Sequence, residues 1–206
     1  MVNKFNHKKM KWECCDVGDK KWKKNFFASI RELFEKHPRM AGIQINIEPM
    51  PSYDREFLQL LEEIRSVTGN KILSVAAYPP PTKWHQYPNV HWERYYLHQV
   101  ANRCDQLAVM MYDTAIPLEK FYINLMIDWT RTLAGVSHLK NVKLILGIPA
   151  YEDAGAGYHY PNAENISSAL RGISAADRHE DIDGIALYCE WEMDENKWQI
   201  WRKFIQ

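Results

Sequence analysis

Glycine is sparse in this chain, with 9 in 206 residues, and none falls into G-x-G-x-x-G or G-x-x-x-x-G-K. The backbone cradle that dinucleotides and nucleoside triphosphates need at a strand-to-helix turn is therefore missing. Net charge is missing as well: 26 Lys and Arg balance 26 Asp and Glu. That balance leaves no electrostatic footprint for nucleic acid or an anionic membrane. Apolar runs stay strand-sized, as in residues 144–148, too short to span a bilayer. Cysteine is limited to Cys14, Cys15, Cys104 and Cys189. Adjacent Cys14 and Cys15 cannot easily pair with each other, and no C-x-x-C or His/Cys spacing suggests zinc. The expectation is free thiols, with no metal and no cofactor; free thiols favour a reducing, cytoplasmic setting, and the sequence leaves the compartment open. The first eleven residues are basic and polar and lack the apolar stretch of a secretory signal.

What is present is ordinary globular composition, 46% hydrophobic and 25% charged, with a generous 13% of aromatics. Tyr and Trp in that abundance suggest a surface that stacks on flat ligands. One pattern repeats along the chain. Apolar residues recur at helical spacing over 20–36, 54–67, 92–104, 118–133, 163–178 and 195–205. Between them, strand-like runs fall at 40–48, 71–77, 106–112, 142–149 and 182–189. Nothing interrupts the alternation, so residues 1–206 read as one domain.

Strict strand–helix alternation gives a parallel sheet with helices outside, either open and doubly wound or closed as a (β/α)₈ barrel. The polar residues favour the barrel. Each strand delivers an acid or an aromatic at its carboxyl end: Glu48, Tyr78, Tyr112 with Asp113, Tyr151 with Glu152, and Glu190 with Trp191. In a barrel these ends converge on one mouth, where such enzymes keep their sites. A barrel has eight units in about 250 residues. Five strands are clear here, and residues 10–15 could supply part of a sixth. The expectation is a TIM barrel incomplete at its N-terminus, with two or three units upstream and unpaired edges open to self-association.

Residues 42–48 read Gly-Ile-Gln-Ile-Asn-Ile-Glu. The three isoleucines share one face and Gln44, Asn46 and Glu48 the other. If the isoleucines pack on helices, the polar three form a buried ladder inside the barrel, ending in a carboxyl at the mouth. Such a ladder is a candidate functional site; the alternative is a surface strand with its polar face in water.

The segment resembles the fourth-strand signature of glycoside hydrolase family 18, the chitinase-like barrels, written D-x-x-D-x-D-x-E. Aligned on the glutamate, this chain has Ala41, Gln44, Asn46 and Glu48. Met110-Met111-Tyr112-Asp113 resembles the family's M-x-Y-D, and residues 146–151 resemble its G-x-P-x-Y. Residues 184–188 resemble its last strand, with Tyr188 where Trp is usual. The resemblance implies a glycosidase whose general acid is Glu48, assisted by the substrate's own N-acetyl group rather than by a second carboxylate. Tyr112 would hydrogen-bond the substrate carbonyl. The position that holds the acetamido group is Asn46, which brings no charge. A non-catalytic carbohydrate-binding barrel is the alternative. Asp113 and Glu190 are candidate compensating acids, and Glu152, Asp153 and Glu192 read more readily as solvated loop charge. Gln44, Tyr78, Tyr151 and Tyr188 are candidate sugar contacts, and Trp191 a candidate stacking platform or a plug beneath the last loop. Trp84, Tyr87 and Trp92, and later Tyr158, His159 and Tyr160, could wall the cleft or simply pack.

Overall fold

The computed structural model describes residues 3–6, 11–14, 16–85, 90–137, 142–152 and 158–205. Two short strands, β1 (Asn3–Asn6) and β2 (Lys11–Cys14), pair with each other antiparallel. Of the residues expected to supply part of a further main-sheet strand, 11–14 pair with β1 instead. The physical reason is the short connection: too few residues separate β1 from β2 for the crossover that a parallel pair requires.

Six α-helices and five parallel strands follow among the described residues. They run α1 (Lys20–Lys36), β3 (Gly42–Ile45), α2 (Arg55–Thr68), β4 (Ile72–Ala77), α3 (Arg94–Ala101), β5 (Gln106–Met110), α4 (Glu119–Ser137), β6 (Lys143–Pro149), α5 (Ile166–Ala175), β7 (Gly184–Tyr188) and α6 (Glu195–Phe204). The helices start where the sequence provides caps. Asp19, Asp54, Asn165 and Asp194 each accept the backbone N–H three residues on, at 2.8–3.0 Å. Gly69, at φ +57°, ends α2 in a conformation that side chains disfavour.

The sheet order is β3-β4-β5-β6-β7, all parallel. The order never reverses, so the sheet has no topological switch point of the open doubly wound kind. It is the progression of a (β/α)₈ TIM-barrel type. On one face Leu73, Val75, Leu107, Val109, Leu144, Leu146 and Ile148 are fully buried in one hydrophobic cluster with the helices. The other face is small or polar. Gln44, Ser74 and Gln106 lie in register across β3, β4 and β5. Gln106 Nε2 donates to Ser74 Oγ at 3.0 Å, and Ser74 Oγ donates to Gln44 Oε1 at 3.1 Å. Gln44 is exposed and Asn46 and Glu48 are half-buried, so the ladder is less buried than the alternation predicts. The cause is position: β3 is an outer strand of this sheet, so among the described residues no strand pairs with its other side.

Strand ends repeat one device. Asp105, just before β5, accepts the Leu73 N–H of β4 at 2.8 Å while its own N–H donates to Leu73 O. Asp183, just before β7, does the same for Leu144 of β6. Each aspartate pins the start of its neighbour, which fixes the register that aligns the carboxyl ends.

Candidate active site

Glu48 follows β3 by three residues and precedes Pro49. Tyr78 follows β4, and its hydroxyl donates to Glu48 Oε2 at 3.5 Å. Beyond β5 the chain turns away from the sheet. β5 ends at Met110, two residues before the expected limit, and further on Asp113 and Ala115 both take positive φ, 57° and 55°. The turn carries Tyr112 and Asp113 to the same place. Glu48, Tyr78, Met110, Tyr112, Asp113 and Trp129 line one cleft of about 370 Å³, room for a small sugar segment.

Behind the lining residue Tyr112 lie two further tyrosines that do not line the cleft themselves. Tyr188, at the end of β7, stacks flat on Tyr112 with centroids 4.7 Å apart, and Tyr151 meets both rings edge-on. The Tyr151 hydroxyl donates to Asp113 Oδ1. Burial, with the Glu48 charge next in weight, pushes the Tyr112 hydroxyl well above its ordinary value. It therefore stays a protonated donor. Burial also raises the Asp113 carboxyl; Tyr151 and His159 pull it down, and Glu164 and Glu48 push it up. Asn46 Oδ1 is buried and has no hydrogen-bond partner among the described residues.

Other expected contacts sit apart. Gln44 lies deeper on β3, bonded to Ser74, and does not line the cleft. Trp191 is 76% exposed and edge-on to Tyr188 at 6.3 Å. It is not a plug, and it stands free at the rim. Glu190 is exposed in the short 3₁₀ turn Glu190–Glu192 and is not a lining residue. Glu152 pairs with Lys197 at 2.8 Å, as solvated loop charge does. Trp92 is core, donating to Met50 O and packing on Phe57. Tyr87 and Asp153 lie outside the described residues.

Sequence reasoning missed Glu164, His85 and Trp129. Glu164 is wholly buried and accepts Thr114 N–H at 3.1 Å and Thr114 Oγ1–H at 2.8 Å. Its position just before a helix cap gives no sign of burial. His85 lines the cleft, with Nδ1 2.6 Å from His91 Nε2. Burial, then His91, lower it to about 4, against a backbone hydrogen bond at Thr114. His85 is therefore neutral near pH 7. Among the described residues no group of three or more His, Cys, Asp or Glu is placed to hold a metal, and no helix is long and apolar enough to cross a membrane. Cys104 and Cys189 are buried free thiols.

The family model for Glycosyl hydrolases family 18 matches residues 16–202. No curated protein matches the chain. Among solved structures, a chitinase from Chromobacterium violaceum ATCC 12472 is similar at 17% identity and TM-score 0.61, over 90% of this chain and 72% of that one. A class V chitininase from Pseudomonas fluorescens Pf-5 is similar at 12% identity and TM-score 0.66, over 98% and 79%. The Bacillus cereus spore cortex-lytic enzyme SleL is similar at 12% identity and TM-score 0.58, over 89% and 53%. At these identities the likeness is one of fold.

Proposed function

The chain belongs to glycosyl hydrolases family 18, and from that membership we propose that it cleaves a glycosidic bond in a glycan containing N-acetylhexosamine, with Glu48 as the acid and then the base. The observation that carries this reading is the convergence of Glu48, Tyr78, Tyr112 and Asp113 on one cleft at the carboxyl ends of three strands.

The chemistry follows from the residues. Glu48 gives its proton to the glycosidic oxygen as the bond from that oxygen to the anomeric carbon breaks. The substrate's acetamido carbonyl oxygen bonds to the anomeric carbon, forming an oxazolinium ion, so no protein carboxylate attacks. Water then adds to the same carbon, Glu48 takes its proton, and the acetamido group is released intact. Tyr112 keeps its proton and donates to the acetamido carbonyl. Asn46 accepts the acetamido N–H through Oδ1, the buried oxygen without a partner among the described residues. Asp113 supplies the negative charge that Asn46 lacks. Tyr78 orients Glu48, Tyr151 orients Asp113, Tyr188 floors the site behind Tyr112, and Trp191 stacks on a sugar at the rim. Gln44 and Glu190 act at longer range, through the Ser74 network and the outer rim.

The test is turnover of an aryl N-acetylglucosaminide and of chitin oligomers by the parent chain and by Glu48→Gln. Release of a reducing end by the parent and its loss in the variant support the reading; equal turnover in both would refute it. A second reading has its own support. Ala41, Gln44 and Asn46 stand where the family pattern has aspartates, so the cleft could hold sugar without cleaving it. Calorimetric binding with no product after long incubation would establish that alternative.

A further inference from the structure

We propose that His159 is a positioning residue for the cleft: its imidazolium bridges the buried Glu164 and the cleft-facing Asp113, and Asp113 is held for the sugar only while that bridge is charged. The inference rests on the sugar-cleft reading above and adds a device behind its wall.

The loop that carries Asp113 needs external support. Asp113 and Ala115 both hold positive φ, backbone that side chains other than glycine adopt at a cost. Between them Thr114 is wholly buried and donates from both N and Oγ1 to Glu164. Ala115 N–H donates to Tyr158 O at 2.8 Å. The segment from Tyr158 to Glu164 thus grips the loop from behind.

The grip places a fully enclosed carboxylate against the site, and a buried carboxylate needs a counter-charge. Among the described residues, His159 is the one cationic side chain within 4.0 Å of Glu164. Its side chain is fully buried, with Nδ1 3.6 Å from Glu164 Oε2 and 3.8 Å from Asp113 Oδ1. The other ring nitrogen decides the tautomer. Nε2 lies 3.1 Å from Tyr151 O, and a carbonyl only accepts, so Nε2 carries a hydrogen. Nδ1 is then the titrating atom. Unprotonated, it turns a lone pair toward two carboxylates that also repel each other. Protonated, it places a positive charge between them.

The ring also stacks on Tyr151 at 4.1 Å, the residue whose hydroxyl holds Asp113. Other groups bear on this set. From α4, Tyr122 donates its hydroxyl to Met111 O and feels both carboxylates; Glu48 acts on Asp113. Burial alone would pull His159 down, but Glu164, the Tyr151 carbonyl and Asp113 outweigh it and raise His159 above its ordinary value. The sign follows: the histidine's part of the bridge is charged below about pH 6.5 and is lost as pH rises through the raised value.

The experiment is an NMR titration of the folded chain carrying ¹³C in the imidazole and carboxyl carbons, without any substrate. His159 should titrate above about 6.5, and the Asp113 carboxyl carbon should show an inflection at the same midpoint. Glu164→Gln should move both to lower pH, and His159→Gln should remove the Asp113 inflection; near-ultraviolet circular dichroism confirms that each variant is folded. A His159 midpoint at or below the ordinary value, or an Asp113 carbon blind to it, overturns the proposal. Where the parent turns over an aryl glycoside, the basic limb of its pH profile should move down in Glu164→Gln, and an unmoved limb also overturns it. Absence of turnover in every form would defeat the glycosidase reading alone, because the titration decides this one without it.

Discussion

At the scale of single residues, Glu48 and Asn46 make opposite predictions. Glu48→Gln keeps the hydrogen bond from Tyr78 but removes the transferable proton. Hydrolysis of an aryl N-acetylglucosaminide should fall by about 10²- to 10⁴-fold with an unchanged melting temperature. Asn46→Asp adds a negative charge beside the forming oxazolinium ion. A charge-assisted hydrogen bond exceeds a neutral one by about 1 kcal/mol, so kcat should rise roughly fivefold. A drop in kcat would mean that the charge from Asp113 already suffices and that a third carboxylate repels it. These residues were legible because strand alternation places them and motif order groups them. Glu164 and His85 were not. Their roles depend on which loop lies over which, and spacing within one segment carries no record of that. His159 was visible only as one of three residues able to wall a cleft, and its Nδ1 acquires meaning only from carboxylates that come from two different loops.

At the scale of elements, alternation gave every helix and every main strand to within a few residues, because each has one apolar face at its own period. The boundaries that slipped are local: β5 stops at Met110, and α5 starts late, after its Asn165 cap. The aspartate device at the strand starts was invisible in the sequence, since Asp105 and Asp183 look like ordinary loop acids. It carries its own prediction. Burial would raise the Asp105 carboxyl, but the Leu73 N–H and Arg65, at 2.6 Å, outweigh it and hold it below its ordinary value. A lowered carboxyl stabilises the fold above about pH 4, and the contribution is lost as pH falls through the folded value. Asp105→Ala should therefore cost about 1 kcal/mol near neutral pH, the modest figure reflecting a half-exposed pair. In urea unfolding, the gap between parent and variant should narrow as pH falls below the ordinary carboxylate value of about 4 and close once Asp105 is protonated in the folded chain. A gap that stays constant with pH would show that the aspartate acts through packing alone. Gly42 offers a steric counterpart. A Cβ there would strike the Ile72 backbone carbonyl, and Gly42→Ala should cost about 1–3 kcal/mol by the same measurement.

At the scale of the whole molecule, the barrel type was legible from the absence of a phosphate turn and from the chemistry at the strand ends. Both features depend on order along the chain, which a sequence records. How the two sides of the sheet are covered is not recorded there, and the exposed Gln44 is the consequence. The sheet has β3 at one side and β7 at the other. β7 leaves Ala186 and Tyr188 exposed on its polar face. An uncovered edge of a parallel sheet offers N–H and C=O groups to another chain. We propose that residues 1–206 fold as one cooperative unit, because the buried apolar side chains of β3 to β6 and of α1 to α5 form one cluster, against which Ile185 and Leu187 of β7 and Trp201 of α6 pack, and that this unit self-associates through its outer strands. Tryptophan fluorescence and far-ultraviolet dichroism should then report one coincident unfolding transition. The sedimentation coefficient should rise with protein concentration. Ala186→Lys puts a charge on the exposed face of β7, the means by which natural edge strands avoid pairing. It should return the chain toward monomer at a concentration where the parent is associated, while leaving the unfolding transition in place. A parent that sediments as a monomer at every concentration would show that the edges are already blunted, and the outer strands would then carry no interface.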